Sequence, residues 1–82
     1  MSKEITVGEL YNAFVRERMI CSNAWDDYEN EEVEALIIGD HGTAAECRMR
    51  VHRAKRRYAE IGKVMDEIYK MSVKMAKEQD SA

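Results

Sequence analysis

The chain has 82 residues, a mass of 9.5 kDa and a formal net charge of −3 at pH 7. This length allows only one domain, because single domains usually need at least about 50 residues. Apolar residues make up 45% of the chain and charged residues 35%, with four glycines and no proline. This composition excludes a disordered or all-β chain and is typical of amphipathic helices.

The longest uninterrupted apolar stretch covers residues 35–38, far short of the roughly 20 residues that cross a bilayer. The N-terminus also lacks the basic and apolar pattern of a signal peptide. We therefore predict a cytoplasmic protein that makes no membrane contact. Its two cysteines, Cys21 and Cys47, are too few for a disulfide framework, and we expect free, buried thiols.

Two stretches have the form of a capping box, in which a threonine caps a helix and the glutamate three residues later bonds back to the threonine amide. They are residues 6–9 and residues 43–46. Between them lies the sequence Gly-Asp-His-Gly, and Gly39 suits the left-handed position that closes a helix. The sequence therefore predicts two helical arms joined by a loop over residues 39–43.

The first arm carries an apolar seam with alternating spacings of four and three residues from Val7 to Tyr28, with Arg18 as its charged member. After Tyr28 the apolar pattern shifts phase, and Asn30 followed by two glutamates resembles a new helix start. We therefore expect a break near Asn30, with residues 22–23 as a second candidate position. The predicted helices of this arm span residues 7–28 and 31–38.

The second arm has a longer seam with the same spacing, from Cys47 to Met75, interrupted only at Ser72. A seam sustained over four heptads predicts one helix over residues 44–78. Gly62 weakens this helix locally and indicates a close approach of the other arm. The two ends of the chain are expected to fray.

Folding the chain about its loop opposes residues whose numbers sum to about 82, as in an αα-hairpin. This register places Trp25 near Tyr58 and Cys21 near Ile61. It also opposes charged residues, namely Glu9 with Lys74, and Arg16 with Asp66 or Glu67. The predicted fold class is therefore an all-α antiparallel helical hairpin with an interrupted first arm, which leaves two long helices or three.

A single hairpin leaves a second set of apolar side chains uncovered, and small two-helix units rarely bury enough surface to be stable alone. The set comprises Leu10, Val15, Met19, Ile20, Val64, Met71 and Val73. Either a third helix of the same chain or a second copy would cover it. We slightly favour a homodimer that forms a four-helix bundle.

The charges are segregated, with a net −8 over residues 1–46 and a net +5 over residues 47–82. Six carboxylates lie within nine residues and are flanked by two aromatic side chains. We call this set the acidic surface: Trp25, Asp26, Asp27, Tyr28, Glu29, Glu31, Glu32 and Glu34. Such a surface can imitate a phosphate track and dock into an arginine-lined groove of another protein.

A basic run lies opposite the acidic surface in this register. It comprises Arg48, Arg50, Arg53, Lys55, Arg56 and Arg57. Dense positive charge favours phosphate backbones through counterion release, and the architecture resembles in outline the helical-hairpin dimers that clamp RNA. Nucleic-acid binding through this run is therefore the alternative function. A third interpretation is that the two runs only pair with each other.

No residue pattern predicts catalysis, a metal site or a cofactor. The chain has no glycine-rich phosphate loop and no nucleophile elbow, and His41, His52 and the cysteines lack zinc-site spacing. We therefore predict a non-enzymatic protein-binding module, an inhibitor or adaptor similar in size and charge to inhibitors encoded by mobile elements. Its expected partner is a protein that handles nucleic acid.

Overall fold

Two long α-helices packed side by side make up the computed structural model, which describes residues 4–80. Helix α1 spans Val7–Ile37 and helix α2 spans His41–Asp80. Glu32 of α1 contacts Arg48 of α2 near the turn, and Glu17 contacts Arg57 farther from it, so the helices run antiparallel. The predicted all-α helical hairpin is confirmed. The predicted fraying falls largely on residues 1–3 and 81–82, which lie outside the described residues.

Helix α1 begins where the sequence predicts. The Thr6 side-chain oxygen accepts a hydrogen bond of 3.1 Å from the Glu9 amide. This bond satisfies one of the amides that the first turn of a helix leaves without a partner. The Glu9 carboxylate also lies at the positive end of the helix dipole, where negative charge is stabilising.

Helix α1 then continues without interruption, so the predicted break near Asn30, the alternative at residues 22–23 and the separate helix over residues 31–38 are wrong. The reason is that the seam does not shift phase after Tyr28. It continues through Glu32, whose side chain is only 16% exposed, and through the buried Ala35. The apolar residues that suggested a new phase, Val33, Leu36 and Ile37, are exposed.

The turn between the helices is shorter than predicted and depends on Gly39. This residue has a φ of 78°, a left-handed conformation that glycine adopts without steric cost. The Gly39 amide donates a hydrogen bond of 3.1 Å to the Leu36 carbonyl, and the Asp40 amide donates one of 2.8 Å to the Ala35 carbonyl. The last turn of α1 is therefore closed by the connection itself.

Helix α2 starts at His41, so the prediction of a loop over residues 39–43 and of a capping box that starts at Thr43 is wrong. Asp40 is the cap instead. Its carboxylate accepts hydrogen bonds from the Thr43 amide, at 3.1 Å, and from the Thr43 hydroxyl, at 2.7 Å. These bonds, the hydroxyl bond first, lower the pKa of Asp40 and stabilise its charged form at the helix N-terminus.

The seam between the helices holds a narrow apolar core that confirms the predicted register. Cys21 lies in one buried cluster with Ile61 and Met65, and the rings of Trp25 and Tyr58 pack with centroids 5.2 Å apart. Nearer the turn, the buried residues are Ala35, Ala44, Cys47 and Val51. The peripheral ion pairs predicted for Glu9 with Lys74, and for Arg16 with Asp66 or Glu67, do not form between these described residues.

The Arg18 side chain reaches across from α1 to Gly62 of α2. Its Cζ is 4.0 Å from the centroid of the Tyr58 ring, and its Nε is buried without a hydrogen-bond partner. A Cβ added to Gly62 would lie 2.7 Å from Arg18 Nη2. The space that a side chain at Gly62 would take is filled by a guanidinium group stacked on an aromatic ring. A close approach of the two helices themselves at Gly62 stays a prediction.

Replacing Gly39 with alanine should destabilise the hairpin by about 1 kcal/mol, because a Cβ is strained in the left-handed region. Gly42→Ala is the matched control, since a Cβ there meets only the Asp40 carboxylate at an ordinary 3.8 Å. The control should leave stability unchanged or raise it by up to about 1 kcal/mol. Urea unfolding followed by circular dichroism measures both, and equal effects would contradict the assignment of strain to Gly39.

A double-mutant cycle tests the contact between Arg18 and Gly62. Gly62→Ala in the Arg18→Ala background should stabilise the protein by about 1 kcal/mol, the gain of alanine over glycine in a helix. In the unchanged chain the gain should be smaller by about 0.5 to 1 kcal/mol, because the new methyl group displaces the guanidinium from the Tyr58 ring. Strictly additive free energies of unfolding would show that the contact does not form.

Candidate functional site

The acidic and basic runs meet across the hairpin and neutralise part of each other. Arg48 Nη2 lies 2.8 Å from Glu32 Oε1, and Arg48 Nε donates to the same oxygen at 2.8 Å. Lys55 Nζ lies 3.3 Å from Glu29 Oε1. The Glu32 carboxylate is largely withdrawn from water, so its pairing with Arg48 compensates for lost hydration. The Lys55–Glu29 pair is about half exposed, so it contributes at most about 1 kcal/mol.

Glu31 is also turned toward α2, where the Cys47 thiol donates a long hydrogen bond of 3.7 Å to Glu31 Oε2. Burial raises the pKa of the Cys47 thiol, and the neighbouring Glu31 carboxylate raises it further. Cys47 is therefore a protonated, unreactive thiol at neutral pH. Cys21 is likewise free and buried, which confirms the prediction for both cysteines.

The two aromatic residues of the acidic surface pack within the hairpin. The Trp25 ring meets the Tyr58 ring edge-on at 73°, and Lys55 Nζ lies 5.6 Å from the Trp25 centroid. Arg50 Cζ lies 5.4 Å from the centroid of the Tyr28 ring. Both rings are half-buried, so only their outer parts are accessible to a partner, less than the sequence suggested.

Three carboxylates of the acidic surface stay exposed and form no ion pair within the described part of the chain. They are Asp26, Asp27 and Glu34. Asp27 and Glu34 are seven residues apart, which places them on one stripe of α1. Half of the predicted carboxylates thus remain available, while Glu29, Glu31 and Glu32 contact α2.

A solvent-open groove of about 530 Å³ runs along one side of the hairpin. Three arginines on successive turns of α2 line it: Arg50, Arg53 and Arg57. Helix α1 contributes Glu17, Ile20, Cys21, Ala24 and Tyr28, and α2 adds Ala54. We call this feature the arginine groove. It brings together half of the predicted basic run and one aromatic residue of the acidic surface.

The arginines of this groove are only weakly neutralised. Arg53 is exposed and has no ion pair in the described part of the chain. Arg57 lies 3.7 Å from a Glu17 carboxylate oxygen, and Arg50 pairs at 3.2 Å with Glu46 of its own helix. All of these side chains are about half or more exposed, and such surface pairs contribute at most about 1 kcal/mol. An incoming anion can therefore replace these pairs at little cost.

The remaining basic residues do not join the groove. Arg48 and Lys55 are seven residues apart on another stripe of α2, where they pair with α1. Arg56 is exposed outside the groove and forms no ion pair among the described residues. The sequence spacing places Arg50 and Arg57 beside the seam and Arg48, Arg53 and Arg56 farther outward. The hairpin divides the run into an internal pair, an outward arginine and the arginine groove, and Arg48 belongs to the internal pair.

Besides the seam residue Cys21, three groove residues of α1 were not predicted as site residues, namely Glu17, Ile20 and Ala24. Their spacing of three and four residues runs parallel to the predicted seam, one position before Arg18, Cys21 and Trp25. A stripe beside a seam faces the edge of the partner helix. This spacing is the signal that could have identified them from the sequence.

Within the described residues, no three His, Cys, Asp or Glu side chains are grouped so that they could hold a metal ion. In the same part of the chain, neither helix combines the length and apolar character needed to span a bilayer. The chain matches no family model, and comparisons with curated proteins and with solved structures found no similar chain. Its candidate surfaces are therefore described by charge and shape alone.

Proposed function

We propose that the protein is a non-enzymatic module that binds nucleic acid through the arginine groove. The observation that carries this proposal is the convergence of Arg50, Arg53 and Arg57, all weakly neutralised, on one open groove. Guanidinium groups present paired N–H donors that fit phosphate oxygens. Nucleic-acid binding was the alternative function predicted from the sequence. Because of this groove, we favour it over the protein-binding function.

The spacing of these arginines suits a phosphate backbone. Arg50 and Arg57 are separated by about 10.5 Å along the helix axis. Each strand of a duplex carries one phosphate per 3.4 Å of its axis, so the groove faces about three phosphates. Ile20 and Tyr28 add an apolar wall that a sugar or an unpaired base can contact.

Fluorescence anisotropy tests the proposal with labelled duplex DNA, single-stranded DNA and hairpin RNA. We expect saturable binding at about 50 mM salt and an affinity for duplex about fortyfold lower at about 200 mM, because three phosphate contacts release about three counterions. Arg53→Gln should weaken binding and reduce the salt slope by about one.

Arg56→Gln is the matched control, since it removes the same charge from an exposed arginine of the same helix outside the groove. Its effect on affinity should be clearly smaller than that of Arg53→Gln. Equal losses would show that only net charge matters. The proposal would be overturned if the protein bound none of these nucleic acids at both salt concentrations.

A protein partner at the acidic surface is the second candidate function. It is supported by Asp26, Asp27 and Glu34, which are exposed and unpaired within the described residues. In this role the chain is an inhibitor or adaptor whose carboxylates occupy an arginine-rich groove of a nucleic-acid-handling protein. The accessible surface is smaller than the sequence predicted, because Glu29, Glu31 and Glu32 contact α2.

An arginine-rich peptide is a direct probe of this second candidate. Asp27→Lys combined with Glu34→Lys should weaken peptide binding at least about tenfold, because attraction becomes repulsion, while the helical signal in circular dichroism stays unchanged. Asp66→Lys combined with Glu67→Lys makes the same charge change on exposed residues of α2. If this control weakens binding equally, the acidic surface has no specific role.

Two further sequence predictions belong to the same proposal. The protein is expected to act in the cytoplasm, where Cys21 and Cys47 stay reduced. It is also expected to act as a homodimer that forms a four-helix bundle. Neither prediction depends on which of the two charged surfaces binds the partner.

A further inference from the structure

The arginine groove has a largely apolar floor beneath a charged rim. Among its lining residues, Cys21 is buried, and Ala24, Ala54 and Tyr28 are half-buried. The exposed lining residues form the rim, namely Glu17, Ile20, Arg50, Arg53 and Arg57. The floor therefore consists of small side chains and part of an aromatic ring, whereas the rim is mostly charged.

Contacts between the helices mark the two ends of this groove. At one end Arg57 Nη2 lies 3.7 Å from Glu17 Oε2. At the other end Arg50 Cζ lies 5.4 Å from the centroid of the Tyr28 ring. Between these ends the floor carries mainly alanine methyl groups, which leave the groove its volume of about 530 Å³.

An apolar floor suits a base better than a phosphate. A phosphate that left the rim for the floor would lose hydration and meet mainly methyl groups. The two faces of an unpaired base are apolar, and they stack on aromatic rings and on the planes of arginine side chains. Tyr28 and Arg50 offer both kinds of surface at one end of the groove.

The shape of the groove also distinguishes an unpaired strand from a duplex. The bases of a duplex are stacked in its interior, and its sugar–phosphate backbone faces outward. Proteins read duplex bases with a helix or a β-ribbon that protrudes into the major groove. The arginine groove is a depression between two helices, so its floor cannot reach the bases of an intact duplex.

We propose that the arginine groove prefers unpaired nucleic acid, with one base seated on the floor and the neighbouring phosphates on the rim arginines. This preference rests on the proposed function, since the same arginines hold the backbone. Ala24, Ala54 and Tyr28 then select an unpaired strand by contact with its base. A single strand gains both the phosphate contacts and the base contact, whereas a duplex gains only the phosphate contacts.

Anisotropy titrations of the full chain with labelled strands of equal length test this preference. The probes are oligothymidine, oligouridine, an abasic strand of each sugar type, and a duplex. We expect a strand with bases to bind at least about fivefold tighter than the abasic strand of the same sugar, because stacking adds to the phosphate contacts. This ratio should be the same at about 50 and about 200 mM salt, since the base contact releases no counterions.

The DNA pair and the RNA pair show which sugar the groove accepts, and a gain in either pair supports the preference. Equal affinities for base-carrying and abasic strands in both pairs would overturn it and leave the proposed function intact, because phosphates alone would then account for binding. Tighter binding of the duplex than of the single strands would also overturn it. If none of the probes binds, the proposed function itself fails.

Ala54→Leu fills the floor without a change of charge. It should weaken binding of the base-carrying strand at least about threefold, because the base loses its seat, and change binding of the abasic strand less than about twofold. Ala59→Leu is the matched control, since Ala59 is an exposed alanine of α2 outside the groove. Equal effects of the two variants on the base-carrying strand would overturn the preference.

Ala24→Leu fills the floor from α1 and replaces Ala54→Leu if that variant lowers the helical signal in circular dichroism. The comparison of strands needs no variant, so it decides even if both substitutions disturb the fold. Arg53→Gln should weaken binding of the base-carrying and the abasic strand by the same factor, because it removes a phosphate contact only. A loss confined to the base-carrying strand would contradict the assignment of Arg53 to the backbone and overturn the proposed arrangement.

Discussion

The packing of Cys21 against Ile61 and Met65 is the contact on which the rest of the hairpin depends. It fixes the register of the two helices, because a shift by one residue would move the whole apolar seam away from its partner. The same register brings Trp25 onto Tyr58 and Glu32 onto Arg48. It also decides which arginines of α2 reach the edge of α1. The arginine groove is therefore a consequence of core packing.

The sequence predicted the hairpin and its register because alternating spacings of three and four residues determine which face of each helix is buried. It failed at Asn30 and Thr43, where local preferences compete with other contacts. Asn30 favours a helix start, but the seam continues through Glu32 once Arg48 compensates its charge. Thr43 can cap a helix, but Asp40 accepts two hydrogen bonds from it. The partner of Glu32 lies on the other helix, where a local pattern does not show it. The Asp40 cap is a local contact that competes directly with a cap at Thr43.

The candidate site could be predicted only in part for a related reason. The six basic residues were recognised from their density along the chain, which records charge but not the contacts that each side chain makes. Their separation into Arg48 with Lys55 on one stripe and Arg50 with Arg57 on another follows from seven-residue spacing relative to the seam. The α1 residues of the groove carry little charge and gave no chemical signal. Charge density identified the helix segment, and only the packed hairpin identified the groove.

The three-residue turn at Gly39 also implies a gradient of local stability along the molecule. Contacts near the turn join residues close in sequence, so they close short loops and cost little entropy. The buried residues Ala35, Ala44, Cys47 and Val51 lie at this end, whereas Leu10, Met71 and Met75 lie at the open end with much of their surface in water. We expect amide hydrogen exchange to be slowest near the turn and fastest at the open end. The open end is therefore the part of the hairpin whose order its own contacts secure least.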